Sequence, residues 1–556
     1  MHAVPSFQEF DDLWHTLQGR WTMNFSPVAT RLAIGDWMLH LTNSPASCAR
    51  IGMGALEAWE RVFLEPREKE EEGLWSEEPF ASFAAAFDAT CSWWEERVMD
   101  VPGMSPRHRS FLSFLGQQFL HSLSPRHHLF TNPELLARTA DERGANLFRG
   151  VGHLAEDFLR YGAGIEQKKP QHEVGRNLAV TPGEVVYRNG LMELIQYSPA
   201  TEEVYENPVL MVPAWIMKYY ILDLSPENSL VKYLVDQGHT VFMVSWKNPE
   251  YEDRRVGLED YIELGVMEAL EVVWEMCGER KLHGVGYCLG GTILSMAASS
   301  MAREGDERFK SLTLLAAQTD FSEAGELMLF IDEAQLQFLE DIMRFQGYLD
   351  TGQMAGAFQL LRAGDLIWSR WVSRYLQGEP EYESDLMAWN TDATRMPSTM
   401  HSRYLRDLFL NNDFFEGRFR VKGRPVVISD IHVPVFLVAT EKDHVAPWTS
   451  VYKYHLSSDA RTVTFVLTSG GHNAGIISQP GHPRRSYRIA TAREGQRYTP
   501  PGIWYHDTPE KRGSWWPAWQ KWLMAASGKR ISPPPMGAFS GVGQGCAAPG
   551  NYVLRS

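Results

Sequence analysis

Six short apolar runs, at 209–212, 240–244, 282–287, 311–316, 435–439 and 463–467, punctuate the later part of this 556-residue chain, with helical stretches between them. A strand that faces water on one side alternates polar and apolar residues. These runs are nearly continuous, which requires cover on both faces. The pattern predicts a parallel sheet with helices on its two sides, an α/β fold that begins near residue 174. Residues 1–173 read differently: helical periodicity recurs at 10–17, 111–123 and 135–159, and strand signals are scarce. Thr131-Asn132-Pro133-Glu134 reads as a helix start, a capping side chain ahead of a proline. The charged run at 65–72 reads as a solvated loop or helix face.

Between the fourth and fifth runs lies a helical, aromatic insertion at about 321–433, expected to cap the strand ends. After residue 532 the chain is rich in Pro and Gly, including Pro533-Pro534-Pro535, and reads as extended or poorly ordered. The expected organisation is thus a mostly helical domain at 1–173, a capped α/β domain at 174–532 and a tail at 533–556.

Composition removes several classes of function. Lys and Arg number 53 against 69 Asp and Glu, a net charge of −16, which argues against a nucleic-acid binder because phosphates are neutralised by clustered cations. The five cysteines, Cys48, Cys91, Cys277, Cys288 and Cys546, are dispersed and odd in number, a poor basis for a disulfide framework or a zinc site. There is no H-E-x-x-H, Walker A or EF-hand pattern, so neither a metal nor a cofactor is expected. The first residues lack a secretory pattern, and no apolar run reaches ~18 residues. The expectation is a soluble, cytoplasmic protein without a transmembrane segment. Its 19 Trp, 20 Tyr and 27 Phe are expected mainly in the core, with some facing an apolar partner surface. His127-His128 is expected to be solvated.

The sharpest local signal is Gly286-Tyr287-Cys288-Leu289-Gly290-Gly291-Thr292, directly after one apolar run and before a helical stretch. It is a nucleophile elbow with cysteine in the serine's place. Glycines flanking the nucleophile let strand and helix approach, and the sulfur stands at a helix N-terminus, where the dipole favours a thiolate. The same glycines, with Gly284, also spell a dinucleotide-binding loop. That reading needs an acid about 20 positions further on. Asp320 lies too far downstream, and the loop follows earlier strands instead of opening the sheet.

A thiol nucleophile needs a base, and the base needs an orienting acid. In α/β-hydrolase chain order the acid follows a late strand and the histidine comes last. Asp443, in the loop after the fifth run, and His472, in Ser469-Gly470-Gly471-His472-Asn473-Ala474-Gly475 after the sixth, satisfy that order. His444 is expected to support the pair from behind. The oxyanion hole should use the Leu289 N–H and one from the loop at 212–218, Ile216 first and Trp215 second.

Beyond these residues, several segments resemble the polyhydroxyalkanoate synthases, polyester polymerases that use cysteine on an α/β-hydrolase core. They are Phe130-Thr131-Asn132-Pro133-Glu134, Val174-Gly175-Arg176-Asn177-Leu178-Ala179, the 222–230 stretch beginning Leu222-Asp223-Leu224-Ser225-Pro226, the elbow itself, Trp389-Asn390-Thr391-Asp392-Ala393-Thr394, Asp443-His444-Val445-Ala446-Pro447-Trp448 and Gly513-Ser514-Trp515-Trp516-Pro517. The resemblance covers about 129–523. It implies (R)-3-hydroxyacyl-CoA as substrate, Cys288 as acyl carrier, His472 as base and Asp443 as third catalytic residue. It also implies a helical domain that promotes homodimerisation and association with a polyester granule. Ala474 resembles the short-chain members and implies a C3 to C5 preference. Asn473 stands where many relatives have isoleucine, and Gly364 where asparagine is usual. On residue chemistry alone, a thiol-dependent esterase or polyester depolymerase on the same fold, and a catalytically idle granule coat, remain alternatives.

Overall fold

The computed structural model describes residues 7–64, 73–159, 171–354, 364–381, 384–537, 539 and 546–555. The charged run at 65–72 lies outside them. The chain divides into two compact units. One comprises Met1–Thr16, Gln171–Thr351 and Glu383–Ser556; the other comprises Leu17–Pro170 and Gly352–Tyr382.

The first unit is built on a ten-stranded sheet. In chain order its strands are β1 (Gly183–Arg188), β2 (Met192–Tyr197), β3 (Val209–Val212), β4 (Val241–Trp246), β5 (Leu282–Tyr287), β6 (Phe309–Leu315), β7 (Val435–Thr440), β8 (Thr462–Thr468), β9 (Ser486–Arg493) and β10 (Lys511–Arg512). Across the sheet they run β1-β2-β4-β3-β5-β6-β7-β8-β9-β10. The six strands β3 to β8 are mutually parallel and correspond to the six apolar runs. Register aligns their ends: Val212 sits opposite Gly286, Tyr287 opposite Leu315, and Thr440 opposite Thr468. The loops that leave those residues therefore emerge along one edge, where ligands bind in open α/β sheets.

The antiparallel flanks, β1 and β2 on one side and β9 and β10 on the other, carry no apolar-run signal. All six β2 residues are buried, yet two of them are Glu193 and Gln196. Glu193 is tolerated because its carboxylate is fully paired. Arg188 Nε donates to Oε1 at 2.7 Å, and the Asn551 and Tyr552 N–H groups donate to Oε2 at 2.9 Å. Those two donors belong to the tail, which does not simply trail away. Val185 N–H donates to Cys546 O, Ala548 N–H to Gly183 O and Phe539 N–H to Val186 O, each at 2.8 Å, so Phe539 and residues 546–548 lie along β1.

The helical unit contains Pro27–Thr42, Pro45–Leu64, Phe80–Trp93, Pro106–Ser122, Pro133–Asp141 and Ala145–Asp157. Asn132 caps its helix as expected, accepting from the Glu134 and Leu135 N–H groups with Pro133 in the first turn. The periodic stretch 135–159 is two helices, because a turn ending at Gly144, with φ of 82°, intervenes. Part of the insertion, Gly352–Tyr382, belongs to this unit. There Arg374 forks onto buried Asp157 at 2.8 and 2.9 Å, and the Tyr375 hydroxyl donates to the same carboxylate at 2.7 Å. Of the histidine pair, only His128 is exposed; His127 is half-buried and stacks on Trp368 with centroids 5.0 Å apart. Among the described residues no helix is long and apolar enough to cross a membrane.

Removing the Glu193 carboxylate strands Arg188 and releases the tail from β2. Glu193→Ala is expected to cost about 3 kcal/mol, the scale for breaking a buried ion pair, read as a lower urea midpoint.

Candidate active site

Cys288 holds φ 52° and ψ −125° at the start of helix Leu289–Arg303, a left-handed conformation that a residue with a side chain adopts only under constraint. The constraint is visible in its neighbours. The Cys288 N–H donates to Leu315 O at 2.8 Å, the Gly291 N–H returns to Cys288 O at 2.9 Å, and close approach does the rest. A Cβ on Gly286 would lie 2.3 Å from Gly291 Cα, and one on Gly290 would lie 2.1 Å from Val212 O. The elbow is thus pressed onto both its own helix and the loop after β3. The dinucleotide reading falls here, since Asp320, the acid it would need, is engaged with the Ser322 N–H and Asn412 Nδ2.

The loops after β7 and β8 are tied by continuing the ladder, with Glu441 N–H to Thr468 O at 2.9 Å and Lys442 N–H to Gly470 O at 3.0 Å. This brings Asp443 and His472 together. His472 Nδ1 lies 2.8 Å from Asp443 Oδ2, and because a carboxylate only accepts, Nδ1 is the donor and Nε2 is left free for the sulfur. Asp443 also accepts from Thr440 Oγ1 at 2.9 Å and from the Val445 and Ala446 N–H groups at 3.0 and 2.8 Å. Burial alone would raise its carboxyl, but the facing imidazole and these donors hold it below the usual carboxylate range. For His472 burial works against the charged ring; Asp443 and Cys288 outweigh it and raise the imidazole well above its ordinary value.

Two tryptophans fix the His472 loop. Trp515 Nε1 donates to Gly475 O at 3.1 Å and Trp516 Nε1 to Ile476 O at 2.9 Å, with both rings fully buried. The doublet is legible in the sequence as an aromatic pair; its use as two indole donors to one loop is not.

Leu289 is the first residue of its helix, so its N–H has no intrahelical partner. The loop at 212–218, with Ile216 and Trp215, is held by the insertion: Thr394 N–H donates to Ile216 O at 3.3 Å, Thr394 Oγ1 to Trp215 O at 2.5 Å and Trp389 Nε1 to Lys218 O at 2.8 Å. The buried Lys218 ammonium is gripped by the Val553 and Arg555 carbonyls, both at 2.6 Å. Burial, with the charge of nearby Cys288, pushes the Tyr404 phenol well above its ordinary value, and its ring belongs to an aromatic cluster. Tyr404 packs edge-on to Trp215 at 6.0 Å and to Phe409 at 5.3 Å, and Trp215 meets Tyr261 at 5.5 Å. His444 points elsewhere: its Nδ1 lies 3.8 Å from Glu326 Oε1, and among the described residues it has no hydrogen bond to Asp443 or His472.

With this geometry in view, the relatives are informative. Residues 5–46 match a family model described as the N-terminal part of poly-beta-hydroxybutyrate polymerase, 67–234 match the model for that polymerase's N-terminus, and 207–477 match the alpha/beta hydrolase fold. A poly(3-hydroxyalkanoate) polymerase subunit from Rhizobium meliloti is 38% identical over 86% of this chain and 78% of its own length. The chain belongs to the poly(3-hydroxyalkanoate) polymerase family. Polymerases from Methylorubrum extorquens, 40% identical over 83% of the chain and 76% of the relative, and Cupriavidus necator, 37% over 85% and 80%, agree. The kinship extends further toward the N-terminus than the motifs, which reach back only to about residue 129. The helical region of this chain thus falls largely within segments that match polymerase family models.

Two outcomes follow from the site. In Asp443→Asn the charge that favours imidazolium is gone while burial stays, so the His472 ring should release its proton at a lower pH than in the parent, read by NMR titration of its ring carbons. Gly290→Ala must push back the Val212 and Pro213 backbone, and an activity loss of at least about tenfold is expected without loss of the folded far-UV spectrum.

Proposed function

We propose that this polymerase joins (R)-3-hydroxyacyl units from their CoA thioesters into polyester, releasing CoA, with Cys288 as acyl carrier, His472 as base and Asp443 as its orienting acid. The observation that carries the reading is the cysteine at a strained elbow beside a His–Asp pair, in a chain 38% identical to a poly(3-hydroxyalkanoate) polymerase subunit. The chemistry is balanced in two transfers. His472 Nε2 takes the Cys288 proton, the thiolate attacks the thioester carbonyl, and the oxyanion is received by the Leu289 and Ile216 N–H groups. The C–S bond to CoA breaks, and the imidazolium returns its proton to the departing sulfur. In the second transfer a 3-hydroxyl gives its proton to His472 and attacks the Cys288 acyl group, forming an ester and regenerating the sulfur with that proton.

Elongation in place of hydrolysis requires that the hydroxyl, not water, reach the acyl sulfur. The 8% exposure of Cys288 and the Trp215–Tyr404 packing support that preference. We assign the chain to the cytoplasm at the surface of a polymer granule, as a homodimer, with a helical N-terminal domain for both contacts. Support comes from apolar side chains that helix Ala145–Asp157 and its end leave exposed, Phe148, Val151 and Phe158 among them. Ala474 beside the base supports a preference for C3 to C5 units. The role of His444 is then restricted to the loop, through Glu326.

Purified protein given (R)-3-hydroxybutyryl-CoA should release CoA thiol and form insoluble polyester, and Cys288→Ala should abolish both. CoA release accompanied only by free hydroxy acid would favour the esterase reading. Turnover of C8 to C10 substrates as fast as C4 would overturn the short-chain preference.

A further inference from the structure

The residue after the proposed base joins three separate parts of the catalytic unit. Asn473 Oδ1 accepts the Tyr287 hydroxyl at 2.5 Å, and Asn473 Nδ2 donates to Asn390 Oδ1 at 3.3 Å. Tyr287 is the last residue of β5, next to Cys288, and its ring lies 5.8 Å from that of His472. Burial, with the charges of Cys288 and Asp443 nearby, pushes its phenol well above the ordinary value, so it remains an O–H donor. A buried donor needs an acceptor, and Asn473 Oδ1 is that acceptor. Spending the oxygen inward turns the amide nitrogen toward Asn390. Asn390 lies in the helix Asp385–Thr391, whose Trp389, with Thr394 just beyond its end, holds the 212–218 loop.

We propose that Asn473 is a positioning residue that registers the His472 loop against two references: the Cys288 strand through Tyr287, and the oxyanion loop through Asn390. The two bonds have different duties. The inner one starts from a buried phenol and is costly to break, so it holds the imidazole. The outer one faces solvent, where water replaces either partner, so the insertion can part from the base's loop without disturbing the imidazole. The proposal rests on His472 being the base, which His472→Gln tests separately: retained turnover there removes that assignment.

The structure makes the side chains at 287 and 473 a matched pair. Asn473→Ile leaves the Tyr287 hydroxyl without its acceptor, and Tyr287→Phe removes the stranded hydroxyl. With (R)-3-hydroxybutyryl-CoA, Asn473→Ile is expected to lower kcat by about tenfold with KM within about twofold, and to shift the acid limb of the pH–rate profile. The double variant Tyr287→Phe/Asn473→Ile should recover most of the lost kcat and the parent pH profile. Asn390→Ala should lower kcat/KM about threefold in the parent and leave the Asn473→Ile variant unchanged. Parent-like kcat in Asn473→Ile, or a double variant no better than that single, would overturn the proposal. Should Asn473→Ile fail to fold, Tyr287→Phe, which deletes one oxygen, must itself lower kcat and move the acid limb; parent-like behaviour there is equally fatal.

Discussion

The backbone of Cys288 sits in a region that costs an ordinary residue about 1–3 kcal/mol, and the catalytic unit is arranged around sustaining it. The sulfur can stand at a helix N-terminus only if strand and helix meet almost in contact, which leaves no room for a Cβ at Gly286. It can lie beside the loop after β3 only if Gly290 is bare against Val212 O. That second contact is the more consequential, because it sets the first turn of the helix against the start of the loop that carries Ile216. The parallel register of β3, β5 and β6 supplies the rigid frame against which this turn is bent.

Asp443 and His472 are held by a different device. They lie beyond the ends of β7 and β8, which pair from Val435 opposite Val463 to Thr440 opposite Thr468, and two further backbone bonds carry the pairing into the loops. A carboxylate this buried is stable only when its lone pairs are used, and Asp443 accepts from a hydroxyl, two N–H groups and the imidazole. The consequence is electrostatic: a satisfied, ionised carboxylate beside a desolvated ring makes His472 a stronger base than a free imidazole. The indoles of Trp515 and Trp516 then prevent the His472 loop from relaxing away.

Much of this is legible in the sequence because the constraints are local. An elbow needs its glycines at fixed offsets, and strands covered on both faces need continuous apolar runs, so β3 to β8 and the order Cys288, Asp443, His472 can be read directly. The flanking strands escape because their burial is satisfied by distant partners. Glu193 breaks the pattern of β2 and is paired with Arg188 and with N–H groups more than 350 positions away. The insertion at about 321–433 reads as helical, but the sequence cannot say that its Arg374 and Tyr375 are matched to Asp157. His444, adjacent to the acid, illustrates the converse: proximity in sequence suggests support for the dyad, whereas the turn at Val445 and Ala446, whose N–H groups face Asp443, directs its ring to Glu326.

The choice of cysteine is coherent with the aromatic residues near it. In the proposed reaction a thioester on Cys288 resembles the CoA thioester it comes from, so the first transfer moves an acyl group between like sulfurs and releases little free energy. The second transfer forms an oxoester and is downhill, but it competes with water, which is smaller than any hydroxyacyl chain and abundant. The competition is decided by access, not by the intrinsic reactivity of the acyl sulfur. Here the insertion contributes Tyr404 and Phe409 to a continuous aromatic layer with Trp215 and Tyr261, and the same insertion pins the Trp215 backbone through Thr394. One segment therefore both packs its rings against Trp215 and holds the backbone of the 212–218 loop. In the proposed mechanism such an aromatic layer, by excluding water, also lowers the local dielectric and strengthens the Asp443–His472 pairing that would take the proton from the attacking hydroxyl.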